Sequence, residues 1–439
     1  MTNTIKEVLE LVREQDAKFI RLAFCDLFGR QKNISIMPDR LEQAFESGVS
    51  FAGSSVAGFS GIVESDLLLF PEAHTLAVLP WRPQQGRVLR FYCDIKRPDG
   101  TTYECDTRSV LKNILQTCES KGFVCNIGAE CEFYLFKTST DGEPLLQPFD
   151  NGSYMDIAPL DRGENVRREI CLHLEKMGVK PESSHHEQGP GQNEIDFTFS
   201  DALSCADNLL TLKTVVRATA THNGLFASFM PKPLLHTSGN GLHINISLFK
   251  NGENIFRNVH NGHSKEAESF IAGILQKIPE ITAFLNPTTN SYERFGSFEA
   301  PLYVSWSHQN RSQLIRIPAT NDDNVRMELR SPDTAMNAYL GFSLIIAAGL
   351  EGIEKSLPLP PEINADLYTA HEDILRNLVK LPTNLGDALD KAENSDFVKR
   401  ILGEEILSKY ISYKRPEQHD FLQAGDKQNF YTNRYFSVM

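Results

Sequence analysis

Four short segments hold carboxylates, an imidazole and guanidinium groups at strand-like spacing. In GAECEFYLF (128–136), alternation puts Glu130, Glu132 and Tyr134 on one face and Ala129, Cys131 and Phe133 on the other. Two adjacent carboxylates repel unless a cation lies between them. In HHEQGPGQNEIDF (185–197), Glu187 and Glu194 flank a Gly-Pro-Gly turn able to bring both to one point. In LHINISLF (242–249), His243, Asn245 and Ser247 share a face behind the glycine-rich SGNG, which lets a ligand approach the backbone. In VRMELR (325–330), Arg326, Glu328 and Arg330 alternate with Val325, Met327 and Leu329. Each pattern has an ordinary structural reading: a solvated strand face, a satisfied histidine, or a charge-compensated Arg-Glu-Arg ion network.

Taken together, convergent carboxylates with one imidazole make a site for a hard cation, magnesium or manganese, and not for zinc or copper. Such ions accompany phosphoryl transfer. NRSQLIRIP (310–318) supplies the basic counterpart, Arg311 and Arg316, with Arg294 upstream. Guanidinium groups beside a divalent ion are what phosphate oxygens need in a transition state that spreads charge over them. The chain contains neither a Walker A sequence nor GxGxxG.

These segments must be positioned by a mixed α+β frame. Ile5, Val8, Leu9 and Val12 predict a short opening helix. FIRLAFCDLF, KNISIM, HTLAVLPW and RVLRFYCDI read as strands of a small sheet-rich unit, which sets domain boundaries at 1–103 and 104–439. Helices are expected at 107–122, 162–178, 201–223 and 264–278, and the apolar stretch 334–357 reads as a buried helix ended by Pro358, Pro360 and Pro361.

A chain of 439 residues is long enough for two domains. Its net charge of -13 argues against general nucleic-acid binding. Eight scattered cysteines without a CxxC pair read as reduced cytoplasmic thiols, and no window reads as a signal core or a membrane span.

The segments above, with GSSVAGFSGIVESDLLLFPE (53–72), KPLLHTSGNGLHINIS (232–247) and FEAP (298–301), resemble the glutamine synthetase family, in family order and over nearly the whole chain. The resemblance implies an N-terminal β-grasp-like domain and a large catalytic domain. It implies a homo-oligomer, a dodecamer of two hexameric rings with sites between subunits. It implies ATP as cosubstrate and two or three Mg2+ or Mn2+ ions per site. By similarity, Glu132, Glu187 and Glu194 hold one metal and Glu130, His243 and Glu328 the second. Gly239, Arg294 and Arg330 hold glutamate, although the Arg294-to-Glu299 loop is one residue shorter than usual. ATP falls on Glu182, Phe199, Ser247, Arg316 and Arg326, with Arg311 near the transferred phosphoryl group. Glu299 matches the flap glutamate that shields the intermediate, and Ser55, Asp66, Tyr154 and Glu187 match the amine pocket. The implied reaction passes through γ-glutamyl phosphate, which an amine or ammonia then attacks.

The chain departs from the family at Phe51-Ala52-Gly53-Ser54-Ser55, where Phe-Asp-Gly-Ser-Ser is usual. The missing aspartate is the one credited with binding ammonium. Three explanations stand: a primary amine as nucleophile, as in γ-glutamylamide or γ-glutamylpolyamine synthesis, which is favoured; glutamine synthesis with weak ammonium affinity; or a non-catalytic structural or regulatory protein. Asn245 and Ser238 replace a His and an Asn of the family but keep hydrogen-bonding groups. LPLPPE lacks the tyrosine used for nucleotidylation.

Overall fold

The computed structural model describes residues 4–59, 61–257, 263–319 and 325–439. Helix α1 (Ile5–Glu14) starts at a capping box in which Thr4 and Glu7 satisfy each other's backbone amides, and it buries Val8 and Val12. The N-terminal sheet comprises β1 (Ala17–Cys25), β2 (Gln31–Ile36), β3 (Val49–Ala52), β4 (Asp66–Pro71), β5 (Ala77–Val78) and β6 (Arg87–Lys96), with α2 (Leu41–Ser47) packed on β4. Its order is β2-β1-β6-β4-β3, with β5 on β6, and β1 runs parallel to β6. One expectation fails here. HTLAVLPW is a 3-10 turn at Ala73–Thr75 followed by a two-residue strand, because Thr75 turns its hydroxyl onto the Glu72 carbonyl and closes the turn.

Helix α3 (Thr107–Ser120), capped by Asp106, leads into the larger sheet. This sheet contains β7 (Phe123–Thr138), β8 (Pro144–Pro148), β9 (Pro181–His186), β10 (Gln192–Asp201), β11 (Leu225–Ser228), β12 (Leu242–Lys250), β13 (Glu253–Asn254), β14 (Trp306–His308), β15 (Ile315–Ile317) and β16 (Met327–Leu329). Its main path is β14-β15-β16-β12-β7-β10-β9. The long β7 lies between β10 and β12, so its alternation governs what both neighbours face.

Helices α4 (Glu164–Lys176) and α5 (Ala202–His222) back this sheet, while α6 (Lys265–Leu285) packs on α7 (Ala338–Glu354), which in turn packs on α3 and α5. Helix α6 runs past the expected end at 278 and through Pro279. It does so buried against α7, where packing outweighs the lost backbone bond. The two backbones touch: a Cβ on Gly352 would sit 2.1 Å from the Ser269 carbonyl oxygen and 2.8 Å from Gly273 Cα. Helix α7 is buried almost throughout, as its apolar sequence predicts. A separate aromatic cluster of Tyr134, Phe136, Met230, Tyr431, Tyr435 and Phe436 ties the C-terminal segment to β7.

Candidate active site

The polar faces of β7, β9, β10 and β12 form one wall of a cavity of about 840 Å3. Register brings the carboxylates together: Glu132 pairs with Glu194 across β7 and β10, Glu194 with His185, and Glu130 with His243. Ligand atoms of Glu130, Glu194 and His243 lie within 4.8 Å of one another, as do those of His185, Glu187 and Glu194. His243 Nδ1 is 3.1 Å from Glu130 and 3.7 Å from Glu328. Gln192 Nε2 and the Gly241 amide each donate to Glu132 Oε2 at 2.9 Å.

The electrostatics of this wall favour a bound cation. Burial, and then the neighbouring charges of Asp196, Glu132, Glu130 and Glu187, push the Glu194 carboxyl well up. Glu132 is raised by burial and by Glu187. Asp196 is pushed up to about 7, by burial first and by Glu130 next. Burial pushes Glu130 upward too, but hydrogen bonds from His243 and Asn245 hold it down at about 2. A divalent ion relieves this mutual repulsion, and a donor set of carboxylate oxygens plus one imidazole suits a hard cation. Cys131 turns to the opposite face of β7 and is fully buried.

Opposite the carboxylates lie the arginines. Arg330 is fully buried, pairs with Glu328 and donates to Glu299 Oε2 at 3.4 Å. Arg311 Nη1 reaches the same Glu299 oxygen at 3.5 Å. Arg294 donates to the Ser331 and Pro332 carbonyls at 3.1 and 3.3 Å, and its buried Nε has no partner among the described residues. Gly239 packs directly on it, since a Cβ there would meet Arg294 Cγ at 2.6 Å.

A second cavity of about 570 Å3 shares Glu130 and Asp196 with the first, and Glu182, Phe199, Ser247 and Arg326 line it. Arg326 Nε donates to Asn245 at 2.9 Å. Arg316 is not part of this lining; it donates to Glu328 Oε2 at 2.5 Å.

Tyr154 lines the larger cavity, its ring edge-on to His185 at 5.4 Å. Ala52, Ser55 and Asp66 do not reach this cavity within one chain. They are exposed on the N-terminal domain, where Ala52 pairs with Asp66 across β3 and β4, and Asp66 lines a separate cleft with Ile62, Val63 and Arg97. Sequence reasoning passed over His185, Gln192, Asp196 and His236, which also line the cavity or bond its wall. Asp196 follows Glu194 at strand spacing, so the alternation that found Glu194 carried that signal too.

Residues 16–98 match the family described as glutamine synthetase, beta-Grasp domain, and residues 104–433 match glutamine synthetase, catalytic domain. The chain belongs to the glutamine synthetase family. Glutamine synthetase of Methanosarcina mazei is 46% identical over 95% of each chain, and that of Clostridium saccharobutylicum is 44% identical over 98% of this chain and 99% of the relative. A solved structure described as a GmaS/ADP complex superposes with a TM-score of 0.88 at 30% identity, covering 99% of both chains. The fold is accordingly a β-grasp domain followed by the large glutamine synthetase catalytic domain, and the activity is that of an ATP-dependent glutamate-ammonia or glutamate-amine ligase. Family members use glutamate, ATP, a divalent metal and ammonia or an amine. Among the described residues, no helix is long and apolar enough to cross a membrane.

Proposed function

We propose that the chain forms a γ-glutamyl amide from glutamate and a primary amine through γ-glutamyl phosphate, on Mg2+ or Mn2+. The observation that carries this reading is the pair of cavities meeting at Glu130 and Asp196, one lined by arginines and the other by the nucleotide residues of the family. In this reading Glu132, Glu187 and Glu194 hold one ion and Glu130, His243 and Glu328 another. Ions bound there would neutralise charge on the transferring phosphoryl group.

The chain's own groups do the rest. Arg294, Arg330 and the Gly239 backbone fix glutamate. Glu182, Phe199, Ser247 and Arg326 enclose ATP, and nucleotide use as such is supported by the related GmaS, which is described as an ADP complex. Arg316 acts through Glu328, to which it is bonded. Arg311 meets the transferred phosphoryl group, and preorganised guanidinium donors of this kind stabilise charge where it develops. Glu299 shields the acyl phosphate and accepts a proton from the amine adduct.

Tyr154 and Glu187 form part of the amine pocket, and Ala52, Ser55 and Asp66 enter it from a neighbouring subunit of a twelve-membered double ring. Ala52 favours the amine over ammonium. The usual aspartate removes a proton from a cation, whereas a methyl group leaves room for an alkyl chain.

Glutamate-dependent phosphate release from ATP, measured with ammonium, methylamine, ethanolamine, polyamines and aromatic amines, tests this. The reading expects a higher kcat/KM with one primary amine than with ammonium. Ammonium as the best acceptor assigns ordinary glutamine synthesis, and no turnover with any acceptor assigns the non-catalytic role.

A further inference from the structure

The glutamate loop and the flap both rest on one buried amine, that of Lys232. Its side chain is 2% exposed. Its backbone is clamped on both sides by Asn290: the Lys232 amide donates to Asn290 Oδ1 at 2.7 Å, and Asn290 Nδ2 donates to the Lys232 carbonyl at 3.0 Å. The ammonium donates to the carbonyl oxygen of Thr237, two residues before Gly239. On its other side lies the Phe298 ring, with the centroid 4.5 Å from Nζ. No carboxylate lies within ion-pair distance of it among the described residues, so a carbonyl and an aromatic face are its named partners. Burial, with Arg294 nearby, lowers this amine to about 8.

Phe298 sits in an unusual backbone. Phe298 and Glu299 both lie in the left-handed region, at φ of 49° and 62°. Two consecutive residues with side chains hold that conformation only where their surroundings fix it. The tight loop is closed by Gly296 N to Ala300 O at 2.9 Å and Ala300 N to Ser297 O at 3.0 Å. Phe298 is nonetheless 49% exposed, so little apolar burial restrains it. Its contact with the ammonium points back into the protein, and Glu299, next in sequence, accepts from Arg330 and Arg311 on the other side of the loop.

We propose that Lys232 and Phe298 form a latch. The cation–π contact holds the flap loop in the conformation that aims Glu299 at the acyl phosphate, and the bond to Thr237 ties that conformation to the loop that binds glutamate. Lys232 and Phe298 are therefore positioning residues, acting through Glu299 and Gly239. This rests on the reading of Glu299 as the shield. When the shield slips, water attacks the γ-acyl carbon of γ-glutamyl phosphate and the bond to the phosphate oxygen breaks. Glutamate and inorganic phosphate then form, at the cost of one ATP hydrolysed per turnover with no amide made.

The test uses the full-length assembled enzyme with ATP, glutamate and Mg2+. It compares phosphate release without an amine to amide formed with ammonium and with methylamine. Phe298→Leu and Lys232→Met are expected to raise this leak ratio roughly three- to tenfold, the size of a partly desolvated cation–π contact. Phe298→Trp should bring it back to the parent value, a rescue that a purely structural role does not predict. Glu299→Ala serves as the reference for an open shield. If Glu299→Ala leaks while Phe298→Leu and Lys232→Met do not, the latch is refuted and the shield stands. If Glu299→Ala does not leak either, the shield reading falls and takes the latch with it. Should Lys232→Met fail to fold, Phe298→Leu, with a half-exposed side chain, decides alone.

Discussion

Glu194 shows how closely chemistry and strand geometry are linked at the level of single residues. It faces Glu132 and His185 in register, and burial followed by four neighbouring carboxylates pushes its carboxyl well up, a repulsion that a bound cation relieves. Gln192 holds the adjacent Glu132 in place through Nε2. Gln192→Leu should therefore weaken divalent-ion affinity about ten- to hundredfold without unfolding the chain, measured by titration calorimetry with Mn2+. At the amine end, Ala52→Asp would set a carboxylate opposite Asp66 on the hairpin. It is expected to raise kcat/KM for ammonium and lower it for bulky amines; unchanged values for both would show that position 52 does not select the nitrogen. Period-two alternation made Glu130, Glu132, His243 and Glu328 legible, because a strand fixes which side chains share a face. It could not show that Arg316 turns onto Glu328 instead of lining the second cavity, since that depends on how β15 meets β16.

Among the elements, the helices were legible where a cap and an apolar period coincide, as at Asp106, Asp201 and Asn337. Two features were not. HTLAVLPW has strand-forming residues, but a hydroxyl-to-carbonyl bond closes a turn within it. Helix α6 was expected to end at 278, yet it continues through Pro279 with Ile278, Ile281, Phe284 and Leu285 buried, and nearer its start its backbone touches α7 at Gly352. This packing gives a direct prediction. Gly352→Ala drives a methyl group into the Ser269 carbonyl, and overpacking of this kind costs about 1–3 kcal/mol. It should lower the urea midpoint without changing the denaturant slope, and an unchanged midpoint would mean the two helices are free to separate.

For the whole molecule, the position of the amine-pocket residues has consequences beyond one chain. Asp66 lies beside Ile62 and Val63, which are 88% and 97% exposed, while Ile157 and Leu160, three and six residues beyond the cavity-lining Tyr154, are 76% and 57% exposed. Apolar groups bared on both surfaces are suited to covering one another in an assembly. If the hairpin serves a neighbour's site, co-assembled Asp66→Ala and Arg311→Ala chains regain activity that neither has alone, because some sites then combine two intact halves. Absence of recovery in verified mixed rings would remove the shared-site reading. The account as a whole depends on strands far apart in the chain meeting around divalent ions. The most direct measurement is anomalous diffraction from crystals grown with Mn2+. The account predicts at least two manganese peaks, one bounded by Glu132, Glu187 and Glu194 and one by Glu130, His243 and Glu328. Well-ordered crystals at saturating Mn2+ with no peak among these six side chains would contradict it.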